Sequence, residues 1–158
     1  MSQADLARHS AEAEKRGLRV TPVRADGKAQ PYAKGQTYPY SRFPNLYRGA
    51  VWLAIVLDGF ILIDWDGNKS NVAAVPLHEL LSALGDPPPA LFQMNEAETS
   101  FHFIYRLPPG VDPSSLRQSC DGRWLPGVDI KRGNQLCHVK SIASDGSRKF
   151  QFWEAFDV

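Results

Sequence analysis

Phe60-Ile61-Leu62-Ile63-Asp64-Trp65-Asp66 is an apolar run that ends in two carboxylates. Four consecutive apolar residues bounded by Asp58-Gly59 and by Gly67-Asn68 predict a buried β-strand. Asp64 and Asp66 stand two apart, so on a strand both side chains face one side and Trp65 faces the other. Their Cα atoms lie roughly 6.5 Å apart on such a strand. Carboxylates at the end of a buried strand are costly unless they are paired or bind a cation. Two metal ions of a phosphoryl-transfer site sit about 3.5–4 Å apart, within the span of such a pair. Hard oxygen donors favour Mg²⁺ or Mn²⁺ over zinc. The competing reading of an isolated Asp-x-Asp is a solvated turn; the preceding Ile61-Leu62-Ile63 favours the site.

Two further signals follow in chain order. Ser100-Phe101-His102 opens the apolar run Phe103-Ile104-Tyr105, and Ser100 and His102 share a strand face. A histidine there is either a satisfied core residue or, beside metal carboxylates, a hydrogen-bond donor to a nucleotide phosphate. Asp129 lies between Val128 and Ile130, with Lys131 one strand period further on the same face and Arg132 after it. That pair fits metal and phosphate binding, or else a simple cross-strand ion pair.

Outward from these motifs, the pattern alternates between strands and two helices. Gln3–Arg16 reads as a helix stopped by Gly17, and Leu18–Val23 as a short strand. Asp26–Asn45, rich in Gly, Pro and Tyr, reads as a long ordered loop. Val51–Leu57 and Phe60–Trp65 are expected to form a hairpin through Asp58-Gly59. Val72–Leu84 is expected to be helical, capped by Ser70 or Asn71 and stopped by Gly85. Ala90–Asn95 and Phe101–Leu107 read as strands. Asp112-Pro113 starts a helical turn. Gly127–Lys131 and Gln135–Ile142 form a pair around Gly133-Asn134, and a last hairpin turns at Asp145-Gly146 and returns through Lys149–Trp153. The sum is an α+β architecture: a mostly antiparallel central sheet with flanking helices, in one domain spanning residues 1–158.

Composition narrows the classes further. No run approaches about 18 apolar residues, which argues against a helical membrane span. Met1–Lys15 is polar and charged, unlike a secretory signal. Cys120 and Cys137 make neither a disulfide framework nor a zinc pattern, so a reducing, cytoplasmic setting is expected, with a single disulfide between them as the alternative. Net charge is only +1, yet residues 15–48 hold eight bases (Lys15, Arg16, Arg19, Arg24, Lys28, Lys34, Arg42 and Arg48) against one acid, Asp26. Tyr32, Tyr38, Tyr40 and Tyr47 lie in the same stretch. Cations interleaved with aromatic rings suit single-stranded nucleic acid, where charges track phosphates and rings stack on bases. The alternative is a solvated loop.

The ordered set Asp64-x-Asp66, Ser100-x-His102 and apolar-flanked Asp129 resembles the bifunctional primase–polymerase domains of phages and plasmids, in the archaeo-eukaryotic primase superfamily. Gly17-Leu18-Arg19-Val20-Thr21-Pro22, then Lys28-Ala29-Gln30-Pro31, is similar to the opening of that family, and the likeness runs from about Ala11 to Trp153. The resemblance implies an RRM-like element within a primase–polymerase core and a template-directed nucleotidyl transferase. Asp64, Asp66 and Asp129 would hold two divalent ions, Mg²⁺ or Mn²⁺. His102, with Ser100, would bind the phosphates of the incoming nucleotide. Lys28, Lys34, Lys131 and Arg132 are further phosphate candidates. The implied partners are a single-stranded DNA template, nucleoside triphosphates and a replicative helicase in cis or trans, with no membrane. The chain departs from the family pattern at Glu98-Thr99, where glycines often precede the histidine, and at Val139-Lys140-Ser141, where Pro-Ser often stands. A non-catalytic nucleic-acid or nucleotide-binding module on the same fold and a metal-dependent nuclease are the alternatives.

Overall fold

The computed structural model describes residues 1–29, 36–68, 73–85, 91–95, 97–112, 115, 124–133, 135–139 and 151–153. They form two compact units, each built on its own antiparallel sheet. The α+β class read from the sequence is the observed one, with two helices and two antiparallel sheets.

The first unit comprises residues 1–58 and 134–150. Helix α1 (Gln3–Lys15) starts at a capping box, with the Ser2 hydroxyl accepting from Asp5 N and the Asp5 carboxylate accepting from Ser2 N. It ends at Gly17, whose φ of 71° the Cβ of another residue would oppose. The sheet has the order β1 (Arg19–Arg24), β2 (Ala50–Val56), β7 (Leu136–Val139). Central β2 buries Leu53, Ala54, Ile55 and Val56 in succession, because both of its faces are covered. Along the other edge of β1, Tyr38 N donates to Val20 O and Val20 N donates to the Thr37 hydroxyl. The tyrosine-rich segment thus continues as a backbone-bonded strap and ends in a 3-10 helix, Pro44–Tyr47.

The second unit comprises residues 59–133 and 151–158. Its sheet has the order β6 (Val128–Arg132), β3 (Phe60–Asp66), β5 (Ser100–Arg106), β4 (Leu91–Met94), β8 (Gln151–Trp153). One face carries Ile63, Phe103 and Val128 in a core with Val75 and with Leu80 of helix α2 (Leu77–Leu84). Trp65, Phe92, Phe101 and Phe103 form an aromatic layer there, with centroids 5.2–6.3 Å apart. On the other face Phe60, Leu62 and Ile104 are buried, and the polar motif residues lie further along the same strands.

Three local expectations are corrected. β2 and β3 do not form a hairpin: β2 pairs with β1 and β7, whereas β3 pairs with β5 and β6. The turn signal at Asp58-Gly59 is real, with Gly59 at φ 82°, but Asp58 is ion-paired to Arg19 of β1 and the chain passes between units there. Likewise β6 and β7 pair with β3 and β2, not with each other. Finally, α2 begins at Leu77 rather than Val72. Pro76 is its N-cap and disfavours a helical Val75. Val75 is instead held in place as its N–H donates to Pro126 O and its carbonyl accepts from Trp65 Nε1, both at 2.8 Å. Ser70, Asn71, Pro113 and the Asp145-Gly146 turn lie outside the described residues.

Candidate nucleotidyl-transfer site

Strand pairing brings the three motifs into one block. Asp64 on β3 is the register partner of His102 on β5 and of Asp129 on β6, and Asp66 is the partner of Ser100. Register partners share a sheet face, so Asp129, Asp64 and His102 form one row and Asp66 and Ser100 lie one period along. Lys131 and Gln93 join that face, opposite Leu62 and His102. Backbone bonds lock the end of the block: Asp66 N donates to Gly127 O and Gly67 N donates to Thr99 O, both at 2.8 Å. Gly127 is required at this junction. Its φ is 76°, and a Cβ there would stand 2.5 Å from Ala74 Cβ.

Asp64 is the electrostatic centre. Its Oδ1 lies 3.2 Å from His102 Nε2, and its Oδ2 accepts from Lys131 Nζ at 2.9 Å. Burial alone would raise the Asp64 pKa. The His102 hydrogen bond, the charge of that ring when protonated, and the Lys131 ammonium outweigh it and hold the carboxyl well below the usual carboxylate range. His102 is buried, and its Nδ1 is 2.7 Å from Nε2 of the fully buried Gln93. Asp66 and Asp129 are half-buried. Asp66 Oδ1 also accepts from Asn68 N at 3.0 Å, closing the turn after β3.

The donors are hard oxygens on two adjacent strands, which is the chemistry that Mg²⁺ and Mn²⁺ select. Among the described residues, no three or more His, Cys, Asp or Glu side chains are grouped so as to hold a metal ion. A cation is nevertheless seated on the row: the Lys131 ammonium on Asp64 Oδ2. The donor chemistry therefore fits a positive ion, in an open rather than an enclosing arrangement.

The remaining sequence candidates fall differently. Lys131 reaches Asp64, a partner that the spacing of Asp129 and Lys131 did not reveal. Arg132 is opposite Ile61, so the alternation of β6 puts it on the face away from Asp64. Lys28 belongs to the first unit, in a tight turn where its N–H donates to Asp26 Oδ1 and its ammonium lies 4.0 Å from that carboxylate. Lys34 and Tyr32 lie outside the described residues. Tyr47 is no stacking platform: it is fully buried, and its hydroxyl donates to Tyr38 O at 2.6 Å. Tyr40 packs on the Tyr47 ring, and Tyr38 meets Phe43 edge-on. Gln93 was not singled out by the sequence; a polar residue at an inward position of an apolar strand was the available signal. Glu98 takes φ 55°, the left-handed conformation in which a glycine is unstrained. This is the position where the family often carries glycine before its histidine.

No curated protein matches the chain. The model of one family, "Bifunctional DNA primase/polymerase, N-terminal" (Prim-Pol), matches residues 10–150 and so covers both units and all three motifs. With that span and the ordered motifs on neighbouring strands, the chain belongs to the Prim-Pol family of DNA primases and polymerases, a nucleotidyltransferase family.

Proposed function

We propose that the chain is a template-directed DNA primase/polymerase domain, acting by two-metal nucleotidyl transfer in the replication of a phage or plasmid within its host cell. The observation that carries this reading is the row Asp129–Asp64–His102, flanked by Asp66 and Ser100, on one face of three adjacent strands. Asp64, Asp66 and Asp129 are the residues that would hold Mg²⁺ or Mn²⁺, which lowers the pKa of an attacking 3′-hydroxyl and neutralises the triphosphate when bound. His102 and Ser100 bind the phosphates of the incoming nucleotide through their N–H and O–H donors. Lys131 then exchanges its carboxylate partner for phosphate, and Arg132, on the opposite face, has no part in the site. Lys28 and Lys34 track phosphates of the single-stranded DNA template or of the triphosphate. A replicative helicase is the proposed partner, because priming needs unwound template. The family match spans both units, which supports reading residues 1–158 as one domain.

The test is primer extension and de novo priming on single-stranded DNA, with Mg²⁺ or Mn²⁺ and all ribo- and deoxynucleoside triphosphates. Extended primer is the expected result. One observation favours a non-catalytic nucleotide-binding module instead: Lys131 and His102 already occupy both oxygens of Asp64. Triphosphate binding without extension in any condition would establish that alternative.

A further inference from the structure

Asn95 follows β4 and opens the turn that leads into β5. Its Oδ1 accepts from two successive backbone N–H groups, Thr99 N at 2.8 Å and Ser100 N at 3.0 Å. Both partners are peptide donors, so only the oxygen of the carboxamide can face them and its orientation is fixed. Its Nδ2 donates to Thr99 Oγ1 at 2.9 Å. The backbone of Asn95 closes the same turn: its N–H donates to Ser100 O and its carbonyl accepts from Glu98 N, both at 3.1 Å. One residue thus anchors a turn in which Glu98 is held at φ 55°.

The turn is tied in addition to the end of β3. Thr99, held by Asn95 through its N–H and its hydroxyl, presents its carbonyl to Gly67 N at 2.8 Å. Gly67 directly follows Asp66, and the approach is close: a Cβ on Gly67 would stand 3.1 Å from Thr99 O and 2.7 Å from the Trp65 ring. Ser100, in turn, is the register partner of Asp66. The bonds from Asn95 to Thr99 and from Thr99 to Gly67 therefore join the turn before the second motif to the end of the first, across the pair Asp66 and Ser100.

From this geometry we infer that Asn95 is a positioning residue: through the backbone of Thr99 and Ser100 it sets the place of Ser100 against Asp66. The consequence for activity rests on the proposed roles of those two residues, a phosphate ligand and a metal ligand. The Ser100 hydroxyl and the Asp66 carboxylate serve one nucleotide only while the two strand ends keep their spacing. A misplacement of about 1 Å at a reacting centre costs on the order of a hundredfold in rate. A bracket of purely local use would, on removal, lower stability and leave the folded chain with its kinetics unchanged.

The experiment combines amide hydrogen exchange with primer-extension kinetics on the full chain, well below its melting point. In the wild type the N–H groups of Thr99, Ser100 and Gly67 are expected to be protected to a similar degree. Asn95→Ala removes the shared acceptor. It is expected to speed exchange by about tenfold or more at Thr99 and Ser100, and also at Gly67, while the middle of β3 keeps its wild-type rates. Asn95→Asp retains an oxygen for both N–H groups and is expected to retain the protection of all three. Asn95→Ala should also lower kcat/KM for nucleotide by about 10–100-fold. An unprotected Gly67 N–H in the wild type overturns the inference, whether or not the variants fold. Exchange at Gly67 that is unchanged in folded Asn95→Ala, or that rises only together with all of β3, overturns it as well. So does wild-type kcat/KM in a destabilised Asn95→Ala. Coupled protection at the three sites in a chain that extends no primer upholds the positioning of the two strand ends and removes the proposed polymerase function.

Discussion

Asp64 Oδ1 lies 3.2 Å from His102 Nε2 across the β3–β5 register, so the carboxylate of the first motif is held by the histidine of the second. Because Lys131 takes the other oxygen, Asp64 serves two structural partners in addition to the proposed metal role. Asp64→Asn is expected to abolish nucleotide incorporation and to destabilise the fold by about 1–3 kcal/mol, since His102 and Lys131 lose a charged acceptor. Asp66→Asn should abolish incorporation with a smaller loss of stability. Primer extension and urea denaturation of each variant separate the two effects. Full incorporation in the double variant would sink the catalytic reading.

His102→Ala should weaken triphosphate binding more than template binding. It should also lower the melting temperature, because it empties a buried position and strips Gln93 and Asp64 of a partner. Calorimetric titration with nucleotide, run well below the melting point, is the decisive measurement. Unchanged affinity alongside reduced stability would make His102 a core residue alone.

Glu98→Gly tests the strained position before the second motif. A left-handed backbone costs a non-glycine residue roughly 1–2 kcal/mol, and glycine gives back about 0.5–1 kcal/mol in unfolded-state entropy. The exposed Glu98 side chain is expected to contribute little, so the variant should match or exceed wild-type stability by up to about 1 kcal/mol. A clear loss in denaturant midpoint would mean that the Glu98 side chain holds the β4–β5 turn.

Residues 15–48 carry a net charge of +7, eight bases less one acid. The Lys28 side chain is 83% exposed and Arg42 is also at the surface, whereas Arg16 and Arg19 are paired with Glu12 and Asp58. Neutralising Lys28, Lys34 and Arg42 together should flatten the log–log salt dependence of single-strand binding, by about 0.7 for each phosphate that no longer meets a cation. Affinity should fall with little sequence preference. Fluorescence anisotropy across a salt series measures it, and an unchanged slope would assign the segment to solvated surface.

Burial pushes the Tyr47 hydroxyl up to about 12 in the folded chain, against about 10 when unfolded. The unfolded state therefore releases this proton first as pH rises. Stability from the neutral Tyr47 is complete below pH 10 and is lost between about pH 10 and 12, by about 1.4 kcal/mol per pH unit at most. Tyr47→Phe should be less stable at neutral pH by about 1 kcal/mol, through loss of the bond to Tyr38 O, yet should show a shallower alkaline decline. Denaturant unfolding at pH 8 and 11 gives both slopes.

Features that depend on neighbours along the chain are legible in the order of the amino acids. Period-two alternation placed Asp64 with Asp66 and Ser100 with His102 on common faces, and Gly17 and Gly85 marked the helix ends. The three motifs sufficed for the family, and their order foreshadowed a shared sheet. Pairing between distant strands was decided only by the tertiary structure. A two-residue turn at Asp58-Gly59 is compatible with a hairpin or with a passage between sheets, and the choice went to the strands that fill the edges of β2 and β3. For the same reason the partners in the Asp64–Lys131 ion pair, the Gln93–His102 hydrogen bond and the Tyr47–Tyr38 hydrogen bond are not legible from neighbouring residues. The ion pair joins residues 67 positions apart, and the two hydrogen bonds each span nine; each exists because packing leaves buried polar groups that must find partners away from their chain neighbours.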